Sequence, residues 1–449
     1  MKASPMTEGR VSGHILKLFF PILGGSLFQQ MYGLADAMIV GRYLGKEALG
    51  AVGGSSILVI NFILYLIIGL ANGITVVAAQ AYGSGQRERY RQIEREAVRL
   101  TLTAGILFAA AGTCLAEQIL KWMDTPEEMM ELSVIYLRTY SISFLPAAFY
   151  NMGAGLLRVK GDNASPLKYL AAASCLNLIL VLLFILVFRM GVRGTAAATV
   201  LAQCFSAFCI LCKMRKGEEG ERVDVFTAER NIGNRKKIWT DILKIGIPTG
   251  MQSDLYLLAN MLMQVRINSY GTDCVAAFSA YGRIDSFFWV IMSAYGIAVM
   301  TFCGSNYGAR QYDRIRQGIR VTTIWAMASA ALFSLFTVTC CGRLMRLFSG
   351  DESVIRIGIE IYKIVTPFYA AYVMTEIFSG GIRGCGKTLV PMALTCIGVC
   401  LIRIVWTLCI GFMDLGMNPL MVSYPVTWMI TSLAFVVYYK KGRWLLPHI

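Results

Sequence analysis

Acidic and amide side chains stand inside runs of the sequence that are otherwise apolar. Asp36 lies in the middle of YGLADAMIVG, residues 32–41. An ionised carboxylate is costly in such a run unless it faces a cavity or a partner. Burial favours the protonated acid, whereas a bound Na⁺ would keep the carboxylate ionised. We therefore interpret Asp36 as an ion-coupling residue; the alternative is an acid satisfied by neighbouring hydroxyl groups that serves helix packing alone.

Other polar residues of the same half of the chain could converge on Asp36. They are Gln30, Asn151, Asn177, Thr199 and Gln203. Thr199 and Gln203 are four residues apart and therefore share one face of a helix. Each of these side chains could equally form an interhelical hydrogen bond, which contributes about 1 kcal/mol to packing.

The second half of the chain has its own charged residues within apolar runs. They are Asp254, Asp285, Glu376, Arg283 and Arg403. Lone charges at this depth are unfavourable, so we expect internal pairs. The sequence leaves open whether these residues form a structural ion-pair network or a second site for an ion or substrate. Tyr256 and Tyr372 lie beside the acids and could contact an organic cation through their ring faces.

The elements that must position these residues are membrane-spanning helices. Of the 449 residues, 56% are hydrophobic and only 15% are charged, which is too apolar for an ordinary soluble protein. A helix needs about 20 mostly apolar residues to cross a bilayer. We predict an all-α integral membrane protein with twelve spans: 15–41, 51–79, 97–117, 133–157, 167–188, 192–214, 242–269, 276–304, 320–342, 354–382, 388–412 and 419–440.

The net charge of +15 is distributed unevenly between the two sides of these spans. When the loops are assigned to alternating sides, almost all of the positive excess falls on the side of the N-terminus. Cytoplasmic loops carry such an excess of Lys and Arg. We therefore predict a multi-pass protein of the cell (inner) membrane with both termini in the cytoplasm. The same distribution makes nucleic-acid binding unnecessary as an explanation of the charge.

The chain contains an internal repeat. ILKLFFP at residues 15–21 returns as ILKIGIP at 242–248, an offset of 227, and AYG at 81–83 returns as NYG at 306–308, an offset of 225. Each half has six spans, so the halves share one orientation and could face each other across a central cleft. We predict an N-lobe at 1–213, a cytosolic linker at 214–241 and a C-lobe at 242–449. Asp36 corresponds to Met263, so the acid is absent from the second repeat.

Two features that could indicate enzymatic chemistry are better explained structurally. GIRGCGKT, residues 381–388, fits a phosphate-binding loop, yet that loop works only between a strand and a helix. Here it joins two spans, so we interpret it as a tight turn. The two histidines, His14 and His448, lie near the ends of the chain, and without a nucleophile–base pair or a metal cluster we predict that the protein is not an enzyme.

FPILGGSLFQQMYGLADAMIVGRYLGKEALGAVG near the start, AYGSGQRER, LLRVKGDNASP and CLNLILVLLFI together resemble the multidrug and toxic compound extrusion (MATE) family. The resemblance covers nearly the whole chain, and the prokaryotic DinF-like members are the most similar branch. It implies an antiporter that exports small organic, often cationic compounds in exchange for H⁺ or Na⁺, with no other cofactor. It also implies that Asp36, Asn177 and Thr199 are the family's ion-coupling residues.

The sequence departs from the DinF-like pattern at Val181, where such members tend to have an aspartate. The coupling ion therefore stays open, as does a second ion site at Asp254, Asp285 or Glu376. We expect a monomer, with no metal beyond a possible Na⁺ at Asp36. Within transport, the alternative is a flippase for lipid-linked precursors, which would need a strongly cationic cavity; a receptor or scaffold that does not transport is a further alternative.

Overall fold

The computed structural model describes residues 6–216, 232–413, 416–442 and 444–445. The first half contains helices α1 Val11–Tyr43, α2 Gly45–Gly53, α3 Ser55–Gly83, α4 Arg87–Cys114, α5 Ala116–Trp122, α6 Glu127–Ser141, α7 Phe144–Val159, α8 Ala164–Leu182 and α9 Gly191–Arg215. The second contains α10 Ile232–Asn268, α11 Thr272–Gly308, α12 Tyr312–Arg346, α13 Glu352–Val365, α14 Tyr369–Gly384, α15 Leu389–Thr395, α16 Ile402–Met413, α17 Met417–Met421 and α18 Ser423–Lys441. Short π-helical segments, Leu183–Val187 and Cys396–Leu401, follow α8 and α15. The described residues contain no β-strand.

Most of the predicted spans are long, apolar helices. Within the described ranges, nine helices have the length and composition to cross a membrane, or ten if α6 and α7, which meet at a bend of 42°, form one span. The two remaining predicted spans correspond to α10, whose apolar run is interrupted by Gln252, Asp254 and Asn260, and to α13 with α14. A 3₁₀ turn at Thr366–Phe368 separates that pair, at the Thr-Pro step where the fixed backbone of proline disfavours a continuous helix.

The chain divides into two compact units, and the first contains Phe20–Gly250. The second contains Met6–Phe19 together with Met251–Ile449. Helices α1 and α10 are therefore each divided between the units, one residue before Pro21 and two residues after Pro248. The predicted linker at 214–241 lies largely outside the described residues, and its last part, from Ile232, belongs to α10.

The internal repeat is visible in how the helices pack. In the first unit α7 lies against α3, where a Cβ atom on Gly155 would meet the Thr75 Oγ1 atom at 2.0 Å and the Ala71 carbonyl oxygen at 3.7 Å. In the second unit α14 lies against α11, where a Cβ on Gly380 would lie 2.8 Å from the carbonyl oxygen of Gly296. Ala71 and Gly296, like Gly155 and Gly380, are separated by 225 residues. Small residues thus permit the same close helix contact in both halves.

The loops that follow these packed helices are also equivalent. Gly161 after α7 and Gly386 after α14 both have positive φ angles, of 91° and 83°. This backbone conformation favours glycine because it has no Cβ atom. Residues 381–388 therefore form the end of a helix and a tight turn, which confirms the structural interpretation of the phosphate-loop pattern.

Candidate functional site

Asp36 lies in the second half of α1, the part that belongs to the first unit. This part of the helix packs on α8 through two glycines: a Cβ on Gly24 would meet Leu167 at 3.4 Å, and a Cβ on Gly25 would meet Leu170 at 3.2 Å. The absence of side chains at both positions allows α1 to approach α8 closely. This packing brings α1 to the helix that carries Asn177.

A small cavity lies within the first unit. Five of its eight lining residues are polar, namely Tyr32 of α1, Ser174 and Asn177 of α8, and Thr199 and Gln203 of α9. The Nδ2 atom of Asn177 donates a hydrogen bond of 3.2 Å to Oγ1 of Thr199, which in turn donates to the Thr195 carbonyl. The free volume is enough for about one water molecule or one small ion.

Asp36 follows Tyr32 by one helical turn on the same face of α1. Its Oδ1 atom is buried and accepts no hydrogen bond from any residue in the described part of the chain. The hydroxyl groups of Tyr32, Tyr136 and Tyr140 lie within electrostatic range of this carboxyl group. Asp36 thus has acceptor capacity that the described residues leave unused.

Two residues that the sequence grouped with Asp36 are placed differently. The Asn151 amide donates to the carbonyl of Ala147, one turn earlier in its own helix, at 2.8 Å, so this contact serves α7 itself. Gln30 is half-buried on α1, a turn and a half before Asp36. The cavity instead brings together Asn177, Thr199 and Gln203.

The second unit contains a hydrogen-bonded aromatic cluster around Asp285 of α11. The carboxylate accepts hydrogen bonds from Trp289 Nε1 at 2.7 Å, from the Tyr281 hydroxyl at 3.1 Å and from the Tyr369 hydroxyl. The ring of Trp289 packs edge-on against Tyr372 with centroids 4.7 Å apart. Asp285 is therefore fully engaged by donors.

Glu376 lies next to this cluster on α14. The hydroxyl of Tyr372, one turn earlier, donates to its Oε2 atom at 2.9 Å, and the guanidinium of Arg383 lies 3.8 Å from Oε1. Tyr256 of α10 is within electrostatic range of Glu376. The structure thus brings Asp285, Tyr372, Glu376 and Tyr256 into one region of the second unit.

The charged pairs expected for the second half are not those that the structure contains. Arg403 is only 2% exposed, yet its described hydrogen bonds go to neutral groups, Asn260 Oδ1 at 3.2 Å and Thr427 Oγ1 at 3.3 Å. Its guanidinium also lies 4.1 Å from the ring centroid of Tyr424. Arg283 is exposed. Apolar periodicity could not reveal that neutral acceptors and an aromatic ring contact the buried cation.

Asp254 is set apart from these contacts. It is 4% exposed, and neither of its carboxylate oxygens accepts a hydrogen bond within the described residues. Gln252, two residues earlier, donates instead to Thr395 at 3.2 Å. Asp254 is therefore a second buried acid with unused acceptors, located in the second unit.

Several residues of these two regions were not singled out by sequence reasoning. Ser174 precedes Asn177 by three residues, so helical spacing could have placed it in the cavity. Tyr281 precedes Asp285 by four residues on α11, so helical spacing could also have placed its hydroxyl beside this acid. Tyr369 and Arg383 come from another helix, and only the packing of α14 on α11 brings them in.

The apolar helices and their internal repeat define an all-α, multi-pass membrane transporter fold built from two six-helix halves. The model of the MatE family matches residues 21–183 and again residues 248–408. The two matches begin 227 residues apart and end 225 residues apart, as the repeat predicts. The chain belongs to the MATE family, whose members are transporters rather than enzymes.

Individual proteins agree with this assignment along their whole length. The probable multidrug resistance protein YpnP of Bacillus subtilis (strain 168) is 30% identical over 447 residues, covering 99% of this chain and 98% of that protein. The FAD transporter of Shewanella oneidensis is 24% identical, covering 97% and 94%. A solved MOP superfamily transporter from Pyrococcus furiosus superimposes with a TM-score of 0.89 at 22% identity, covering 98% of this chain and 97% of that one. These names do not favour the flippase alternative.

Proposed function

We propose that this protein is an ion-coupled antiporter that exports small organic, predominantly cationic compounds, and that Asp36 is its coupling residue. The observation that supports this most directly is the buried Oδ1 atom of Asp36, which accepts no hydrogen bond within the described residues. Asp36 follows Tyr32 by one helical turn, and Tyr32 lines a cavity together with Asn177 and Thr199. A proton or a Na⁺ ion at this carboxyl group would satisfy that acceptor. The multidrug resistance name of the Bacillus subtilis relative supports a drug-like substrate.

The proposed mechanism is alternating access between two arrangements of the lobes. Ion binding at Asp36 would change the hydrogen bonding around α1, favour one arrangement and lower the affinity for substrate on the outer side. The coupling can be no larger than the difference between the ion's affinities for the two states. The polar residues of the cavity, Asn177, Thr199 and Gln203, would orient the carboxyl group and its ion.

The acids and aromatic residues of the second unit are proposed as a tentative substrate site or second ion site. Asp285 already accepts three hydrogen bonds, whereas Glu376 accepts one from Tyr372 and neither oxygen of Asp254 accepts any from the described residues. The rings of Trp289 and Tyr372 would contact an organic cation through their faces. The proposed location is the cell (inner) membrane with both termini cytoplasmic, on the basis of the positive charge distribution, and the proposed functional unit is the monomer.

The test is substrate efflux from proteoliposomes under H⁺ and Na⁺ gradients that are imposed separately. We expect one gradient to drive export by the native chain, and Asp36→Asn to abolish that response while the protein remains folded and monodisperse. Asp254→Asn tests the second unit separately, because a loss of the gradient response in that variant would assign a second ion site to Asp254. Full gradient-driven export by Asp36→Asn would contradict the proposal, and ligand binding without any counterflow would indicate a receptor.

A further inference from the structure

A groove with a volume of about 690 Å³ lies on the second unit where α12, α14 and α18 meet. Its lining includes Arg316, Arg320 and Ile324 of α12, Phe378 of α14 and Tyr439 of α18. None of its lining residues belongs to the transport sites proposed above. Its size is that of a ligand pocket.

The groove changes from charged to apolar along α12. Arg316, Arg320 and Ile324 follow one another at intervals of four residues, so they form a stripe that runs about 12 Å along the helix axis. Ile324 is 59% exposed. Opposite the arginines, the rings of Phe378 and Tyr439 stack with centroids 4.6 Å apart and an interplanar angle of 14°. The walls therefore suit a molecule with an anionic end and an apolar body.

The positive charge of this groove is poorly compensated. Arg316 contacts Asp313 at 3.8 Å, but both side chains are largely exposed. Arg320 is exposed, and it forms no hydrogen bond or ion pair with another residue in the described ranges. An exposed pair of this kind contributes little, so both guanidinium groups are accessible to an anion.

The equivalent face of the first unit has arginines at the same positions, but acids lie beside them. With the offset of 225, Arg316 and Arg320 correspond to Arg91 and Arg95 of α4, and Arg95 lies 3.6 Å from Glu88. Two further acids of α4, Glu94 and Glu96, are almost fully buried. Lys160 Nζ lies 3.2 Å from Glu94 Oε1, and Arg235 lies 3.5 Å from Glu96.

The space equivalent to the groove is also occupied in the first unit. Phe378 corresponds to Gly153, where a Cβ atom would meet Ile210 at 2.0 Å, so α9 packs directly onto α7 there. The first unit therefore neutralises and fills the region that the second unit leaves basic and open.

We propose that the groove of Arg316, Arg320, Ile324, Phe378 and Tyr439 binds an anionic phospholipid of the cytoplasmic leaflet. The guanidinium groups would contact the phosphodiester with charge-assisted hydrogen bonds. The acyl chains would follow Ile324 toward the apolar part of α12, while the stacked rings form the opposite wall. The assignment to the cytoplasmic leaflet rests on the proposed orientation of the chain, in which the start of α12 faces the cytoplasm.

The test measures phospholipid retained by the purified full-length protein in native mass spectrometry, after titration with phosphatidylglycerol or phosphatidylcholine in separate arms. We expect phosphatidylglycerol to be retained preferentially. Arg316→Gln with Arg320→Gln should reduce that retention by at least about fivefold. Arg316→Lys with Arg320→Lys keeps both positive charges and should retain phosphatidylglycerol as the native chain does. Arg87→Gln with Arg89→Gln removes two exposed arginines of α4 and should have no effect.

Three results would overturn the proposal: equal retention of both lipids, unchanged retention in the double Gln variant, or the same loss in the α4 control, which would indicate a general surface-charge effect. Displacement of the lipid by millimolar inorganic phosphate would identify a site for free phosphate instead. Because retention is measured without transport, a negative result leaves the proposed export function standing. Conversely, failure of the Asp36 experiment does not affect this site.

Discussion

Asp36 of α1 and Met263 of α10 occupy equivalent positions of the repeat, but their side chains have different contacts. Asp36 presents a buried carboxylate oxygen without a hydrogen bond from the described residues, one helical turn after Tyr32, which lines the small cavity of the first unit. Met263 is 1% exposed, and its sulfur atom lies 3.0 Å from the Thr407 hydroxyl. Thr407 follows Arg403 by one turn of α16, so the second unit has a buried cation near this position.

The comparison distinguishes the helix packing that both halves share from the charged residues that only one half has. The contact of α7 on α3 and that of α14 on α11 use small residues at matching positions, as repeat-related packing requires. The residues equivalent to Arg403, at either offset, are Leu176 and Leu178 of α8. The first unit thus has the acid Asp36 and has leucines at the positions equivalent to Arg403. The second unit has the cation Arg403, which contacts neutral groups. At this pair of repeat positions, only the first unit has a carboxyl group that could bind an ion.

The largest effect is expected when the first unit is made to resemble the second. Asp36→Met removes the carboxyl group and places there the side chain that α10 has at this position. Gradient-driven export should fall by about 5- to 150-fold, the usual range of a coupling free energy, while the protein stays monodisperse. Initial efflux rates from proteoliposomes would measure this. If export by Asp36→Met still depended on the gradient, the coupling site would have to lie outside α1.

A large effect on stability, rather than on coupling, is expected at Arg403. Arg403→Met leaves Asn260 and Thr427 without their charged donor, so the free energy of unfolding should fall by about 2–3 kcal/mol. Thermal unfolding in detergent would report the loss, and Arg403→Lys, which retains the charge, should lose less. If stability is unchanged but coupling is lost, the second unit has the functional ion site.

A smaller effect is expected in the cavity of the first unit. Thr199→Val removes the hydroxyl group to which Asn177 donates at 3.2 Å. One such hydrogen bond contributes about 1 kcal/mol, so the apparent affinity for the coupling ion should fall about fivefold, as measured by the ion dependence of efflux. Thr199→Ser retains the hydroxyl group and should behave like the native chain; equal behaviour of both variants would remove Thr199 from the site.

The smallest effect is expected at Glu376. Glu376→Gln retains an acceptor for the hydroxyl of Tyr372 and loses only the partly exposed contact to Arg383 at 3.8 Å. Such a contact contributes at most about 1 kcal/mol. Export should therefore keep its ion dependence. A complete loss of coupling would show that the two units share the ion-binding role, and the comparison above would no longer hold.

The sequence predicted the helical spans and the repeat because hydropathy and the offsets of 227 and 225 are local and periodic signals. It also placed Asn177, Thr199 and Gln203 together, since helical spacing relates the last two directly. It could not reveal that Arg403 contacts Asn260 and Tyr424. Nor could it reveal that Glu376 contacts Arg383, at the end of α14, and neither of the arginines within the apolar runs. Those contacts depend on which helices pack together. Helical spacing predicts two of the three aromatic donors to Asp285, because Tyr281 and Trp289 share its helix, whereas Tyr369 lies on another helix.

The central claim is that an ion and the substrate compete through Asp36. The most direct measurement is ion release from the purified protein when substrate binds, followed as H⁺ release in weak buffer and as displacement of ²²Na⁺. We predict about one ion released per substrate bound by the native chain and none by Asp36→Asn, because binding linkage is reciprocal. Equal release by the native chain and by Asp36→Asn would contradict the claim.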